Sequence, residues 1–319
     1  MTEFERYVVE EHVEDFNDGL ISRRELIRRI SLITGSATAS VALLSAMGCS
    51  TTSPGSQPPA PTSRSTSSAQ DFATPPAQPV ADGVTVKEND PRITVATLDV
   101  KGADGAPLIS YHAKPTGVSA GGVLVIHENR GLLPHIKDVV RRVATAGFTG
   151  LSVDLLSRDG GADKLSDQAA YAAALSKRPV ADMVSDVRAA LDALSGTGAG
   201  EKLGVTGFCF GGGMVWNTLA AGVPVKAAAP FYGPAPGNAG GLATTKAAVH
   251  AVYAELDARV NAGKDAIEGA LKQSGQPYKI TVYPGVDHAF HNDTGARYNA
   301  TQAEAAWIAT VQWFRQYIR

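Results

Sequence analysis

Disulfide chemistry is the first thing this sequence lacks. Two cysteines, Cys49 and Cys209, occur in 319 residues. One stands beside a leader-like N-terminal stretch and the other deep in the chain, which excludes a disulfide framework. Charge is also scarce, with 19% charged residues and a net charge of −2. Residues 1–48 hold 5 basic and 8 acidic residues against 24 and 23 in the remainder. A body that close to neutral offers no electrostatic footing for nucleic acid. Metal-ligand spacing is missing too. After His127-Glu128, the place where H-E-x-x-H needs its second histidine is Gly131, so no metal is expected. Gly196-Thr-Gly198-Ala-Gly200 precedes a strand-like run instead of following one, which makes it a turn and not a dinucleotide loop. No internal repeat is present.

The first 48 residues have the layout of an export address. Ser22-Arg23-Arg24-Glu25-Leu26-Ile27-Arg28 resembles the twin-arginine export signal. The uncharged stretch Ile30 to Met47 follows, too polar for a membrane span but apolar enough for a signal core. The segment before Arg23 is long and acidic for such a signal, and an amphipathic helix is the alternative. Ala46-Met47-Gly48-Cys49 resembles a lipobox with alanine where leucine is usual, which makes Cys49 a lipidation candidate. Residues 49–80 are rich in Ser, Thr, Pro, Ala and Gln and too poor in large apolar residues to offset chain entropy, so they form a disordered tether. The expected location is outside the cytoplasmic membrane, anchored by lipid or soluble, with the signal or lipid as the membrane attachment.

From residue 81 to 319 the pattern is globular. Strand-like runs at Ile93–Val100, Leu108–Ala113, Val123–His127, Thr149–Val153, Leu203–Thr206, Val225–Ala229, Ala248–Ala254 and Lys279–Tyr283 alternate with helix-like segments. Those segments are Ile136–Ala146, Val180–Leu194, Gly212–Ala221, Ala262–Gln273 and Ala303–Ile318. Strand–helix alternation after two antiparallel-looking strands predicts an α/β fold, a mostly parallel sheet with helices on both faces.

One pentapeptide carries the chemistry: Gly207-Phe208-Cys209-Phe210-Gly211, between a strand-like run and a small-residue helix. A side chain at the centre of G-x-nucleophile-x-G projects from a tight strand-to-helix turn, and a thiol there is a good acyl-transfer nucleophile. A buried structural cysteine is the competing reading. A nucleophile needs a base and a group to orient that base, both from loops after later strands. Asp257 follows Ala248–Ala254 and His288 follows Lys279–Tyr283, in the chain order nucleophile, acid, histidine. Asp257 alternatively caps the next helix, and His291 competes with His288 but lies in a Phe-His-Asn-Asp run that reads as a solvated loop. Tyr232, Trp216 and Phe290 fit a pocket lining or plain core packing.

Together these stretches resemble the dienelactone hydrolase family, from Ile93 to the C-terminus. The matching motifs are Val125-Ile-His-Glu128-Asn-Arg-Gly131, Pro134-His-Ile-Lys-Asp138 with Arg141-Arg142, Val153-Asp154-Leu-Leu-Ser-Arg158, the Cys209 elbow, Ala254-Glu-Leu-Asp257 and Pro284-Gly-Val-Asp-His288-Ala-Phe290. The resemblance implies one α/β-hydrolase domain with a Cys209–His288–Asp257 triad and no cofactor. It implies that Glu128 holds the resting thiol and accepts its proton. It also implies an oxyanion hole from the backbone N–H groups of Phe210 and Asn129, and Arg158 as the grip on a substrate carboxylate. The family's second carboxylate-binding arginine falls where this chain has Asn292, a neutral amide that cannot form a bidentate clamp. The expected function is hydrolysis of a small ester or lactone through an acyl-enzyme. The alternative is a membrane-tethered binding protein on the same fold. Thiol redox chemistry is a weaker reading, because no resolving cysteine lies nearby in the sequence. A monomer is favoured, with a small molecule as the partner.

Overall fold

The computed structural model describes residues 1–36, 40, 44, 85–165 and 167–319. The chain divides into two units, Met1–Pro76 and Ala77–Arg319. The first contains helices α1 (Glu3–Asn17) and α2 (Arg23–Thr34). A capping box starts α1: Thr2 Oγ1 accepts the Glu5 N–H at 3.1 Å, and the Glu5 carboxylate accepts the Thr2 N–H at 2.7 Å. Ser22 caps α2 in the same sense, and Gly35 ends it at φ 73°. Arg23 and Arg24 of the expected export motif therefore occupy the first turn of a helix. Arg29 ties the two helices together through Asp15 at 3.6 Å. No helix among the described residues is long and apolar enough to cross a membrane. Cys49 with its lipobox, and all of the expected tether, lie outside the described residues.

The second unit is built on eight strands in the order β1-β4-β6-β5-β7-β8-β9-β10. These are β1 (Ile93–Ala96), β4 (Ser110–Pro115), β5 (Gly122–Ile126), β6 (Thr149–Val153), β7 (Leu203–Phe208), β8 (Ala227–Phe231), β9 (Ala248–Ala254) and β10 (Tyr278–Tyr283). β4 pairs antiparallel with both β1 and β6, and every pairing from β6 to β10 is parallel. Strands β5 to β9 are buried along their whole length, the burial of a parallel sheet covered on both sides. The covering helices are α3 (Pro134–Thr145), α4 (Gln168–Lys177), α5 (Val180–Leu194), α6 (Phe210–Ala220), α7 (Lys264–Ser274) and α8 (Ala300–Tyr317). This is the α/β-hydrolase fold.

Two expectations change. The run Ile93–Val100 is not one strand: after β1 the chain bends, and Val100–Lys101 (β2) pairs with Pro107–Leu108 (β3) in a separate ribbon. Ser110 explains the break, since its hydroxyl accepts the Leu98 N–H at 3.0 Å and donates to the Leu98 carbonyl at 2.7 Å. Those are two backbone groups that a ladder would otherwise have to satisfy. Helix α4 was not expected at all. Its sequence is half alanine and carries no polar-apolar alternation, leaving only the Asp167 cap, which accepts from Ala169 and Ala170.

Close backbone approach fixes the glycines around the β7–α6 turn. A Cβ on Gly211 would lie 2.3 Å from the Ile126 carbonyl oxygen and 2.5 Å from that of His127. One on Gly212 would lie 2.4 Å from the Phe231 oxygen. Helix α6 thus seats directly on the ends of β5 and β8. Gly269 in α7 has nothing within 4 Å of its would-be Cβ. Gly211→Ala is therefore expected to destabilise by about 3 kcal/mol or more, and Gly269→Ala to stabilise by about 0.5–1 kcal/mol. Urea denaturation midpoints measure both, and similar midpoints for the two variants would contradict this packing.

Candidate active site

The expected site residues stand at the carboxyl ends of neighbouring strands. Glu128 follows β5, Cys209 follows β7, Asp257 follows β9 and His288 follows β10. Loops at that edge of a parallel sheet converge, so residues 31 to 164 positions apart in sequence come within hydrogen-bonding distance. Among the described residues, three non-glycine residues have positive φ, and all three lie here: Cys209 (57°), Tyr232 (35°) and Ala289 (63°). Each such conformation costs about 1–3 kcal/mol and persists only where the surroundings dictate it. Cys209 is buried and begins α6 as its N-cap residue. Its N–H donates to the Phe231 carbonyl at 3.1 Å, which anchors the turn to β8. The positive end of the helix dipole faces the thiol and favours its anionic form.

Asp257 and His288 form the tightest pair at this edge. Nδ1 of His288 bonds Oδ2 of Asp257 at 2.6 Å, with both side chains buried. Oδ1 of the same carboxylate accepts the Val260 N–H at 3.1 Å, capping the short helical turn Ala258–Asn261. The cap and the imidazole partner, competing readings of one aspartate, hold at once on its two oxygens. The other face of the imidazole serves Cys209: Sγ lies within 4.8 Å of a ring nitrogen of His288. Nε2 has no nitrogen or oxygen partner among the described residues. Burial acts to strip His288 of its proton, but the charges of Asp257 and Cys209 and hydrogen bonds to both hold its pKa well above the ordinary value. Burial likewise pushes Asp257 up, and the His288 charge and hydrogen bond outweigh it, with help from Arg259 and the Val260 N–H, so that its pKa lies below 3.8.

Glu128 is buried, and Oε2 accepts a hydrogen bond from Asn292 Nδ2 at 2.6 Å. Oε1 has no partner. The amide orientation of Asn292 is dictated from its other end, where Oδ1 accepts the Thr294 N–H at 3.0 Å and its hydroxyl at 2.6 Å. Tyr232 packs edge-on against His288 with ring centroids 5.1 Å apart. Burial raises its hydroxyl pKa well above 10, and the charges of Glu128 and Cys209 add to the shift.

Asn129 is held by the peptide before it. His127 Nε2 accepts the Leu155 N–H at 3.0 Å, so the ring hydrogen sits on Nδ1 and donates to the Glu128 carbonyl at 2.6 Å. Burial pushes the His127 pKa down and keeps it neutral, which preserves that tautomer. In a planar trans peptide the Asn129 N–H points opposite to the carbonyl that His127 holds. Phe210, the first residue of α6, contributes an N–H from a helical turn that has no intrahelical acceptors of its own.

Two sequence-based assignments meet a different environment. Arg158 is not left open to a ligand carboxylate: its guanidinium grips Asp104 at 2.6 and 2.8 Å and Asp186 at 2.8 and 3.0 Å. His291 does not lie in a solvated loop. It is buried, its ring stacks on Phe208 at 5.0 Å and abuts Phe231 at 5.3 Å. Burial, with Arg142 and His135 nearby, forces its pKa well below 6.5. Sequence reasoning missed the network that anchors this loop. Asp293 bonds His135 Nδ1 at 2.7 Å and also Arg142, while Asp138 holds Arg142 at 2.6 Å and the Thr85 and Val86 N–H groups at 3.1 and 2.8 Å. The available signal was the spacing of Asp138, Arg141 and Arg142 on one helix.

Comparison with known proteins gives consistent matches. The profile of the dienelactone hydrolase family matches residues 108–318. A "Putative carboxymethylenebutenolidase" of Methylorubrum extorquens is 33% identical over 254 residues, covering 75% of this chain and 87% of its own. The crystal structure of a "Putative Dienelactone Hydrolase" from Klebsiella pneumoniae aligns with a TM-score of 0.64 and 28% identity, covering 70% of this chain and 99% of its own. A dienelactone hydrolase from Anabaena variabilis shares the fold at 21% identity and a TM-score of 0.57, over 72% of this chain and all of its own.

The two shifted pKa values set a pH window. His288, raised above its unfolded 6.5, contributes stability fully below that pH and loses it as pH rises through the folded-state value. Asp257, lowered below 3.8, contributes above that pH and loses it as pH falls through its folded-state value. The pair therefore contributes most between 3.8 and 6.5. NMR titration of the imidazole should find His288 still protonated at neutral pH, with Asp257→Asn and Cys209→Ala each lowering its pKa. An unchanged pKa in Asp257→Asn would contradict this electrostatic account.

Proposed function

The chain belongs to the dienelactone hydrolase family and is a hydrolase acting on esters or lactones, and from that premise we propose that Cys209 is its nucleophile in a two-step acyl transfer. The supporting observation is the position of His288, bonded at 2.6 Å to Asp257 on one side and adjacent to Sγ of Cys209 on the other. In the first step the Cys209 thiolate adds to the carbonyl carbon of the substrate. The negative charge on the carbonyl oxygen is met by the N–H groups of Phe210 and Asn129. The tetrahedral intermediate collapses, the C–O bond to the leaving group breaks, and His288 Nε2–H protonates the departing oxygen. In the second step neutral His288 takes a proton from water, the hydroxide adds to the thioester carbonyl, and the Cys209 thiolate leaves. Asp257 stabilises the imidazolium and holds the tautomer that keeps Nε2 toward the sulfur. Glu128, with Oε2 occupied by Asn292, has Oε1 left to accept the proton of a resting thiol. Capture without turnover is not favoured, because nucleophile, base and orienting acid all converge.

Cys209→Ala and His288→Ala are each expected to abolish turnover of 4-nitrophenyl acetate. Asp257→Asn should lower kcat by about 10²–10⁴-fold, by analogy with the measured effect in serine triads. Steady-state kinetics tests this, and undiminished hydrolysis by Cys209→Ala would refute the mechanism.

We also propose export across the cytoplasmic membrane by a twin-arginine-type signal in residues 1–48, with Cys49 as the lipidation candidate. The paired Arg23-Arg24 and the uncharged stretch after them support this. Cell fractionation of Arg23→Lys/Arg24→Lys should show the protein retained inside, whereas unaltered export would contradict the proposal.

A further inference from the structure

Building on the hydrolase reading above, we infer that the site selects electrically neutral acyl groups and discriminates against carboxylate-bearing ones, with Asn292 as the specificity-determining residue. Of the two positions that the family resemblance assigns to a substrate carboxylate, neither offers a free cation. Arg158 has both faces of its fork closed by Asp104 and Asp186, four hydrogen bonds between 2.6 and 3.0 Å. Its guanidinium belongs to a balanced cluster, in which Asp104 and Asp186 face Arg158 and Asp186 also binds Arg178 at 2.8 Å. Position 292 carries no charge, and the Asn292 amide is fully oriented. Thr294 takes Oδ1 twice, which turns Nδ2 onto Glu128 Oε2 at 2.6 Å. That bond brings Glu128 a hydrogen but no positive charge, whereas an arginine at 292 would bring both. Oε1 is buried and has no partner among the described residues.

Asn292 is also rigidly placed. Its N–H donates to the Ala289 carbonyl at 2.9 Å, and the next residue, Asp293, is locked by His135 and Arg142. It cannot swing away to make room for a ligand carboxylate without breaking the Thr294 and Glu128 bonds together. A substrate carboxylate entering beside Glu128 would give up its water next to a buried carboxyl group, with no compensating cation from Arg158 or residue 292. An uncharged ester or lactone incurs no such desolvation cost. Arg130 forms no ion pair among the described residues, so it enters the test as a competing source of positive charge.

The test compares kcat/KM for mono-4-nitrophenyl glutarate with that for its methyl ester, background hydrolysis subtracted. The two differ in charge and little in shape. The wild-type protein should favour the methyl ester by about tenfold or more, and Asn292→Arg should shrink that preference by about tenfold through one added charge. A wild-type preference for the free carboxylate would overturn the inference, and its loss in Arg130→Gln would assign selectivity to Arg130 instead. The wild-type comparison decides the sign even if Asn292→Arg fails to fold. Cys209→Ala, run alongside, separates the two layers. If that variant still cleaves both esters, the nucleophile assignment fails. If it is inert while the wild type prefers the carboxylate, the mechanism stands and only the specificity assignment falls.

Discussion

Burial alone would leave His288 neutral, and the rest of the site is arranged against that tendency. One short bond from Asp257 and the nearby sulfur of Cys209 together hold a proton on an imidazole that is 1% exposed. The three groups come from loops after β9, β10 and β7, so their meeting depends on strand register and not on local sequence. Removing Asp257 would leave the buried imidazolium with much less compensation, which is more costly than never having built the pair. The pair is therefore a structural commitment as well as a chemical one, with the same Asp257 carboxylate also starting a helical turn through Val260.

Backbone geometry supplies the second constraint. Cys209 is held at φ 57°, a conformation that L residues avoid. The contacts that enforce it are backbone to backbone: Gly211 against the carbonyls of Ile126 and His127, and Gly212 against that of Phe231. The same close approach that strains the cysteine brings α6 onto the strand ends and sets its dipole at the sulfur. His127 extends this logic to the neighbouring loop, because a neutral ring with a fixed tautomer determines which way the Glu128–Asn129 peptide points. A histidine that looks like an unused metal ligand in the sequence is a backbone orienter in the fold.

Much of the architecture is legible in the sequence. β6, β9 and α5 have the bounds expected of them, because β6 and β9 are buried throughout and α5 is an amphipathic stretch that starts after Pro179. α4 escaped notice because an alanine-rich helix buried on most sides has no periodic signal. The β1–β2 break escaped because it rests on a serine twelve residues away. At the site, Asp257 and His288 were identifiable from their places after strands. The Asn292–Glu128 bond was not, since a contact across 164 residues leaves no local trace. The loop at 290–293 was misread for a related reason. Its histidine, asparagine and aspartate look solvent-loving one by one, but His291 packs against Phe208 and Phe231, Asn292 is bonded to Glu128 and Thr294, and Asp293 to His135 and Arg142.

Charge distribution links the fold to the specificity proposed for it. Arg158 is held by Asp104 and Asp186, and Asn292 gives Glu128 a hydrogen bond without a charge. Catalysis and selectivity then both depend on which atom attacks. The most direct measurement is rapid-quench peptide mass spectrometry after mixing the wild-type protein with a slowly deacylating activated ester. The account predicts one acyl group on the peptide that carries Cys209, formed at the rate of the product burst. Acylation of a different residue, or a burst with Cys209 unmodified throughout, would contradict it.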